Sequence, residues 1–248
     1  MTYPYQLIRD ADARTTARLI VPKIRSVPCL VWATGGDSDI QLSRRNLADR
    51  TLMTVTGTPT VNPGYVRTTG VSHLFKTDVI EPATFTWFVF GRRSDTSADN
   101  DHTGAYGGSF FGVSDPGCLF YWQTSTILRG QAYQGAGTNI LSTLSVASGS
   151  NLFKRYRLEC VREGGAGTIT LFNDTDDTED LTPGTFTEAP DLGGLPIAIG
   201  ASNSNSFAGH IEWNHQSIFA GIPTADEVAD HWTQVLAIAA DMGVTENT

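Results

Sequence analysis

The sequence has little charge, few cysteines and no long apolar run. Only 17% of its 248 residues are charged, whereas 40% are hydrophobic and 10% aromatic, a balance opposite to that of disordered chains. No apolar run reaches the roughly 18 residues of a membrane-spanning helix, so we expect no membrane partner. The three cysteines form neither a CxxC pair nor a zinc-spaced cluster with histidine. We therefore expect one folded domain without disulfides, assembled in a reducing cytoplasm.

Basic residues are also scarce, and they are unevenly placed. The formal charge is −9, yet residues 1–28 carry a local charge of +3, which leaves −12 for the rest. An acidic body argues against nucleic acid as a partner, because phosphates require a basic face. We divide the chain into an N-terminal extension or docking arm, residues 1–28, and one domain, residues 29–248. The arm either packs on the domain or docks on a larger assembly, and residues 10–21 have the pattern of a short helix.

Alternating apolar and polar residues dominate the domain. In residues 154–160, Tyr156, Leu158 and Cys160 share one face of a strand, and the charged residues between them share the other. A glycine-rich turn then leads to a second alternating strand at 168–171, which predicts an antiparallel hairpin. Ten more segments have strand character: 30–33, 51–55, 71–79, 84–90, 108–113, 119–123, 127–133, 140–146, 195–199 and 207–219. Many short strands with almost no helix predict two packed antiparallel sheets.

One helix is predicted near the C-terminus. Thr224 and Glu227 form a capping box, in which each side chain satisfies a free backbone amide at the helix start. Gly243 supplies a stop signal. Between them lies one apolar stripe, made of Val228, Trp232, Val235, Ala239 and Met242. We expect this helix to lie across the sandwich and to cover an edge or an end.

Six motifs follow one another in the last hundred residues. They are the strand at 156–161, the turn at 163–167, the T-I-T-L-F-N-D strand at 168–174, I-A-I-G at 197–200, F-A-G-H-I-E-W at 207–213 and T-A-D-E-V at 224–228. In this order they resemble the concanavalin A-like, or laminin-G-like, jelly-roll family. The T-A-D-E-V helix start resembles the version carried by bacteriophage virion proteins.

The resemblance implies an all-β, two-sheet antiparallel jelly-roll sandwich with one C-terminal helix. It also implies a non-enzymatic virion component, namely a capsid decoration, fibre or tail protein. The expected partners are other virion proteins or further copies of this chain, with host surface glycan as a ligand. Two alternatives stay open: a stand-alone carbohydrate-binding lectin, and a glycoside hydrolase or lyase of the same fold.

The sequence carries no convincing catalytic pattern. Glycosidases use paired carboxylates that flank the scissile bond, and the nearest arrangement here is a degenerate D-x-D-x-x-E at 174–179. No apolar residue interleaves it, and Pro183 and Gly184 follow, so the segment has the character of a solvated turn. Neither a G-x-S-x-G elbow nor a phosphate-binding loop is present. We predict no catalytic residues.

Two acidic loops, at 95–102 and 173–180, are the candidate calcium sites, since calcium prefers six to eight oxygen ligands. Neither matches an EF-hand, and acidic loops are usually only hydrated. His210 and His215 are five positions apart on one predicted strand, so they point to opposite faces and do not converge on a metal. We therefore predict no metal and no cofactor.

Aromatic residues supply the candidate ligand-binding site. Tyr121 and Trp122 are neighbours on one predicted strand, so one points into the core and the other is available on the outer face. An exposed ring on a concave sheet can stack on a sugar. Tyr121, Trp122 and Tyr133 are the glycan-binding candidates, whereas four tryptophans are expected in the core: Trp32, Trp87, Trp213 and Trp232.

Overall fold

The computed structural model shows a chain built mainly of short β-strands. It describes residues 5–7, 18–20, 22–36, 40–69, 72–93, 104–109, 116–135, 137–146, 151–163, 166–192, 194–202, 207 and 209–246. The strands are β1 Tyr5–Leu7, β2 Arg18–Ile20, β3 Cys29–Thr34, β4 Thr54–Thr56, β5 Thr60–Asn62, β6 Tyr65–Thr69, β7 Leu74–Ile80, β8 Phe85–Arg93, β9 Gly104–Gly108, β10 Leu119–Trp122, β11 Ile127–Gln134, β12 Thr138–Ser145, β13 Lys154–Glu163, β14 Ala166–Asn173, β15 Thr178–Glu179, β16 Gly184–Phe186, β17 Pro190–Asp191, β18 Pro196–Ile199 and β19 His210–Phe219. The helices are α1 Ile40–Ser43 and α2 Ala225–Asp241.

The strands form two large antiparallel sheets. The first sheet has the order β12-β11-β10-β9-β18-β7-β4, with β17 paired to β11. The second sheet has the order β15-β14-β13-β8-β19-β6-β5, with β16 paired to β14 and β3 paired to β19. Within the described part of the chain, strands β1 and β2 pair with each other and with no other strand. The predicted all-β fold with two antiparallel sheets is confirmed.

The inner faces of the two sheets enclose one apolar core. Aromatic rings cross the gap between them. Trp87 of β8 meets Phe120 of β10 edge to face at a centroid distance of 6.2 Å, and Trp213 of β19 meets Phe75 of β7 at 5.6 Å. Edge-to-face contact is a preferred geometry for aromatic pairs because it places the positive ring edge on the negative ring face. The core therefore fixes the two sheets face to face as a sandwich.

Strands β13 and β14 form the predicted hairpin. Tyr156, Leu158 and Cys160 are fully buried in the core, whereas the alternate residues of β13 are partly exposed on the other face. Burial raises the pKa of the Cys160 thiol to about 12, so the thiol stays protonated at neutral pH. All three cysteines are free thiols: Cys29, Cys118 and Cys160.

Helix α2 begins as the sequence predicts, but it does not cover an edge or an end of the sandwich, because its apolar stripe packs on the middle strands of the second sheet. Thr224 is the N-cap, and both hydrogen bonds of its capping box with Glu227 are present. The helix covers the outer face of the second sheet, where Trp232 meets Phe88 of β8 at a centroid distance of 5.3 Å. Among the described residues, no helix is both long and apolar enough to span a membrane.

Residues 25 and 26 are tied to the start of α2. The Glu227 carboxylate accepts hydrogen bonds from the backbone amides of Arg25 and Ser26, both at 2.8 Å, and from the Ser26 hydroxyl at 2.5 Å. Burial opposes ionisation, but the hydrogen bonds from Ser26, Arg25 and Thr224 prevail and lower the pKa of Glu227 to about 2. The end of the proposed arm therefore contacts the domain, while the division of the chain at residue 28 stays a prediction.

The structure corrects three local expectations. Residues 18–20 form strand β2 rather than the end of a helix, because they pair with β1. The rest of the predicted helix, residues 10–17 and 21, lies outside the described residues. The strand expected at 108–113 is β9, Gly104–Gly108, and residues 110–113 also lie outside them. Glycines are rare in strands, but Gly107 is required here, since a Cβ atom would lie 2.3 Å from the Ala198 carbonyl oxygen. Strands β5 and β6 were not predicted.

Candidate functional site

The outer face of the first sheet carries a cluster of aromatic and polar side chains on β10 and β11. Phe120 and Trp122 belong to the core, so Tyr121 between them points outward. On β11, Leu128 and Ala132 belong to the core, and strand alternation places three residues on the outer face with Tyr121. These residues, together with a ring that reaches them from the start of β19, are called the tyrosine face: Tyr121, Arg129, Gln131, Tyr133 and Phe207.

Hydrogen bonds join the two tyrosines through one amide. The Tyr121 hydroxyl donates to Gln131 Oε1 at 3.4 Å, and Gln131 Nε2 donates to the Tyr133 hydroxyl at 2.7 Å. The amide is therefore held with its oxygen towards Tyr121 and its nitrogen towards Tyr133. Burial raises the pKa of Tyr133, so its hydroxyl stays protonated at neutral pH. The Gln131 amide does not titrate, so both are neutral hydrogen-bonding groups.

An aromatic ring from outside the strand pair completes this cluster. Phe207 packs edge to face on Tyr121, with centroids 4.9 Å apart, and both contact Ala105 and Leu119 in a small apolar group separate from the core. Phe207 lies in the connection between β18 and β19, so the chain path rather than the strand pattern brings it here.

The tyrosine face is nearly buried and has an exposed polar border. Tyr121, Gln131 and Tyr133 expose only 6%, 7% and 5% of their surface. Beside them, β12 places the exposed residues Thr143 and Asn139 opposite Arg129 and Tyr133. The most accessible polar groups of this part of the sheet therefore lie at its border, and the tyrosine and amide groups reach the surface over only a small area.

The three predicted glycan-binding residues have different surroundings. Tyr121 and Tyr133 are brought together on one outward face by Gln131. Trp122 lies on the opposite side of the sheet, where it is 0% exposed and its indole N–H donates to the Tyr106 hydroxyl at 3.1 Å. The Trp122 ring therefore has no surface on which a sugar could stack. The four tryptophans expected in the core are buried: Trp32, Trp87, Trp213 and Trp232.

Sequence reasoning missed three members of the tyrosine face. Arg129 and Gln131 precede Tyr133 by four and two positions on the same alternating strand, so the period of two could have identified them. Phe207 carries no such signal, because its contact with Tyr121 depends on the connection between two strands in different sheets.

The carboxylates of the acidic loop at 173–180 are used in structural contacts. Asp174 accepts from the Arg157 guanidinium and, at 2.6 Å, from the Trp232 indole. Asp176 pairs with buried Lys154 at 2.5 Å. The part of the chain that the structure describes contains no group of three metal-binding side chains. The other acidic loop, at 95–102, lies outside the described residues.

A second polar cluster lies beneath α2, far from solvent. His215 of β19 and His231 of α2 each contact the Ser217 hydroxyl, at 3.0 and 3.1 Å. Burial lowers the pKa of His215 to about 3 and also lowers that of His231, which the neighbouring His215 lowers further. Both rings are neutral at physiological pH. The sequence-based expectation that His215 and His210 do not converge did not consider His231, which adjoins His215 only because α2 packs on this sheet.

Comparison with known proteins places the fold but not the family. No protein-family model matches the chain, and no curated protein matches it. The receptor-binding domain of botulinum neurotoxin type G has a similar structure, with a TM-score of 0.59 and 8% identity over 83% of this chain and 51% of that one. A botulinum neurotoxin type C structure, which concerns an interaction with two ganglioside molecules, gives 0.58 and 11% over 84% and 51%. The binding domain of neurotoxin DC in complex with rat synaptotagmin II gives 0.53 and 11% over 87% and 52%.

These likenesses agree with a β-sandwich and carry no information on family at such low identity. This chain spans about half the length of the neurotoxin domains that it matches. The similarity is therefore to about half of each neurotoxin chain, a part that is the size of one β-sandwich.

Proposed function

We propose that this chain is a non-enzymatic carbohydrate-binding domain and that the tyrosine face is its binding surface. The observation that carries the proposal is the Tyr121–Gln131–Tyr133 arrangement on an outward sheet face. Carbohydrate ligands present both apolar C–H surfaces and closely spaced hydroxyls. Tyrosine rings with polar tips and an oriented amide offer matching contacts to both.

Two further observations support binding rather than catalysis. The structural neighbours include a neurotoxin structure that concerns ganglioside interaction and two neurotoxin binding domains. In the acidic loop, Asp174 and Asp176 accept strong hydrogen bonds from basic side chains, so neither carboxylate is placed as a general acid or base towards a substrate.

We further propose that the domain belongs to a bacteriophage virion, as a capsid decoration, fibre or tail component assembled in the host cytoplasm. The support is the order of motifs in the last hundred residues and the basic charge of residues 1–28. Other virion proteins or further copies of this chain would be its partners, and a host surface glycan its ligand.

A glycan array with matched variants tests the binding proposal. Tyr133→Phe removes the hydroxyl that Gln131 contacts, and we expect it to weaken binding about fivefold to tenfold, the equivalent of one hydrogen bond. Tyr156→Phe is the control, since the Tyr156 hydroxyl is buried in the core without a hydrogen-bond partner. Absence of glycan binding by the unmodified chain, or equal binding by the two variants, would overturn the proposal.

Size-exclusion chromatography and negative-stain microscopy test the virion proposal. Symmetric oligomers, or co-purification with capsid or tail proteins, would support a structural role in a particle. A lone monomer that binds glycan would instead identify the stand-alone lectin. Sugar release from a polysaccharide, abolished by Asp176→Asn, would establish the hydrolase or lyase alternative.

A further inference from the structure

Arg129 lies at one end of the tyrosine face, next to Tyr121. It lies directly opposite Tyr121 of β10 and Thr143 of β12 in the sheet register. Directly opposed residues in antiparallel strands have Cβ atoms about 4.5–5.5 Å apart. Gln131 follows two positions later on the same face, so the guanidinium stem starts beside both members of the Tyr121–Gln131 hydrogen bond.

Arg129 has no acidic partner among the described residues, unlike three arginines of the second sheet. There, Arg67 and Arg92 both pair with Glu212, and Arg157 pairs with Asp174. The Arg129 side chain is partly exposed, while its Nε atom is buried and has no hydrogen-bond acceptor. Its positive charge is therefore not neutralised within the chain, and the exposed part of the side chain can meet an anion.

The side chains nearest Arg129 on the tyrosine face are neutral: Tyr121, Gln131 and Thr143. One carboxylate lies at the neighbouring β12 edge, where Asp180 accepts from the Thr143 backbone N–H at 2.9 Å and from the Ser142 hydroxyl at 2.6 Å. Asp180 forms no ion pair with Arg129. At the other end of the face, Asp191 lies opposite Tyr133, about 13 Å along β11 from Arg129. Arg129 therefore supplies the positive charge of the face, and an anion would bind at its end.

We infer that the tyrosine face binds an acidic saccharide, with the Arg129 guanidinium holding its carboxylate or sulfate group while Tyr121 and Gln131 contact the adjoining sugar. The inference rests on the proposed carbohydrate-binding function and adds the class of ligand. Arginine suits this role because its planar guanidinium presents paired N–H donors that match the oxygens of a carboxylate. The chain as a whole has a charge of −9, so attraction of an anionic sugar depends on this local group rather than on the overall field.

The test compares acidic saccharides with neutral counterparts of the same backbone. Isothermal titration would use oligogalacturonate and its carboxyl-reduced form, sialyllactose and lactose, and a sulfated and a desulfated galactan fragment. These three pairs distinguish uronic acid, sialic acid and sulfate as sources of the charge. We expect at least one acidic member to bind ten-fold or more tightly than its neutral partner, and its affinity to fall as sodium chloride rises from 50 to 500 mM, since salt screens exposed charges.

Arg129→Gln removes the charge with little change in side-chain length. We expect it to weaken binding of the acidic saccharide ten-fold or more and to leave any binding of the neutral partner within two-fold. The control is Arg45→Gln, which removes the same charge from an exposed residue beside the β4 edge. That edge is five strand spacings from β11, or about 24 Å.

The outcomes separate the inference from the function on which it rests. Equal affinity for acidic and neutral members, or acidic binding that survives Arg129→Gln, would overturn the acidic ligand and leave carbohydrate binding intact. Failure of every saccharide to bind the unmodified chain would overturn both. The salt titration is made on the unmodified chain, so a salt-independent affinity would contradict the inference even if Arg129→Gln did not fold.

Discussion

The two outer faces of the sandwich satisfy their polar groups in different ways. On the second sheet, α2 covers the strands, and Asp174 beside it accepts hydrogen bonds from both Arg157 and Trp232. On the first sheet, Arg129 of the tyrosine face has no acidic partner among the described residues, and its Nε atom is buried without an acceptor. This difference between Arg157 and Arg129 supports the proposal that the outer face of the first sheet is the one that meets a ligand.

The largest expected effect comes from removing the main anchor of α2. Trp232 is buried against Phe88, and its indole donates to Asp174. Truncation to alanine leaves a cavity and removes one of the donors to Asp174, so Trp232→Ala should lower the free energy of unfolding by about 3–5 kcal/mol. Guanidinium chloride unfolding measures this loss. A loss below about 1 kcal/mol would show that the helix-covered face is not the stabilising one.

Acid should weaken the same face next. His215 has its pKa lowered by burial to about 3, whereas an unfolded histidine titrates near 6.5. The unfolded chain therefore binds a proton that the folded chain excludes, and stability falls as the pH drops below about 6.5. One such group contributes at most about 1.4 kcal/mol per pH unit, a slope reached well below pH 6.5, and about 1.6 kcal/mol in total between pH 6.5 and 5.

Urea unfolding at pH 6.5, 5.75 and 5 measures this slope above the range in which most carboxylates titrate. In His215→Gln, the pH dependence over this window should decrease by about 1.1 kcal/mol per pH unit on average. An unchanged slope would mean that the histidine pair beneath α2 is not kept neutral by burial.

Neutralising one arginine on each face sharpens the comparison directly. Arg157→Gln removes the ion pairs with Asp174 and Glu159 and should cost about 1–3 kcal/mol, as for hydrogen bonds to charged groups. Arg129→Gln should change stability by no more than about 0.5 kcal/mol. Thermal unfolding of the two variants in one buffer gives both values. Equal losses would imply that Arg129 is as structurally engaged as Arg157.

The smallest expected effects concern two tyrosine hydroxyls in the core. Tyr106 accepts from the Trp122 indole at 3.1 Å, so Tyr106→Phe leaves that donor unpaired and should cost about 1 kcal/mol. The Tyr156 hydroxyl is buried without a partner, so Tyr156→Phe should leave stability unchanged or raise it by a few tenths of a kcal/mol. Chemical unfolding compares the pair, and a larger loss for Tyr156→Phe would contradict the hydrogen-bond assignment.

Strand alternation was sufficient to predict most of the fold. It identified the buried side of β13, and the capping box identified the start of α2, because both signals depend on residues close together in the chain. The end of the helix predicted at 10–21 is instead strand β2, stabilised by pairing with β1, and helix propensity does not register such a partner. Strand β9 begins earlier in the chain than the sequence predicted. Its Gly107 is required by the close approach of Trp87 and Ala198, and these contacts join residues far apart in sequence.

The candidate site was predicted only in part for the same reason. Alternation separates Tyr121 from Trp122 but does not say which of the two faces the core, since that depends on where the second sheet packs. Burial of Trp122 against Tyr156 decides it. The proximity of Tyr121 to Arg129 and Gln131 follows from the register of β10 against β11, which the four-residue connection between these strands fixes only after folding.

The contact of residues 25 and 26 with Glu227 makes the two flanks of the sandwich different, because it fixes this part of the chain on one of them. Those residues are held beside the start of α2, on the flank of the sandwich opposite Tyr121 and Tyr133. A scaffold that gripped the beginning of the chain would therefore meet the helical flank. It would leave the tyrosines on the flank that points away from the scaffold.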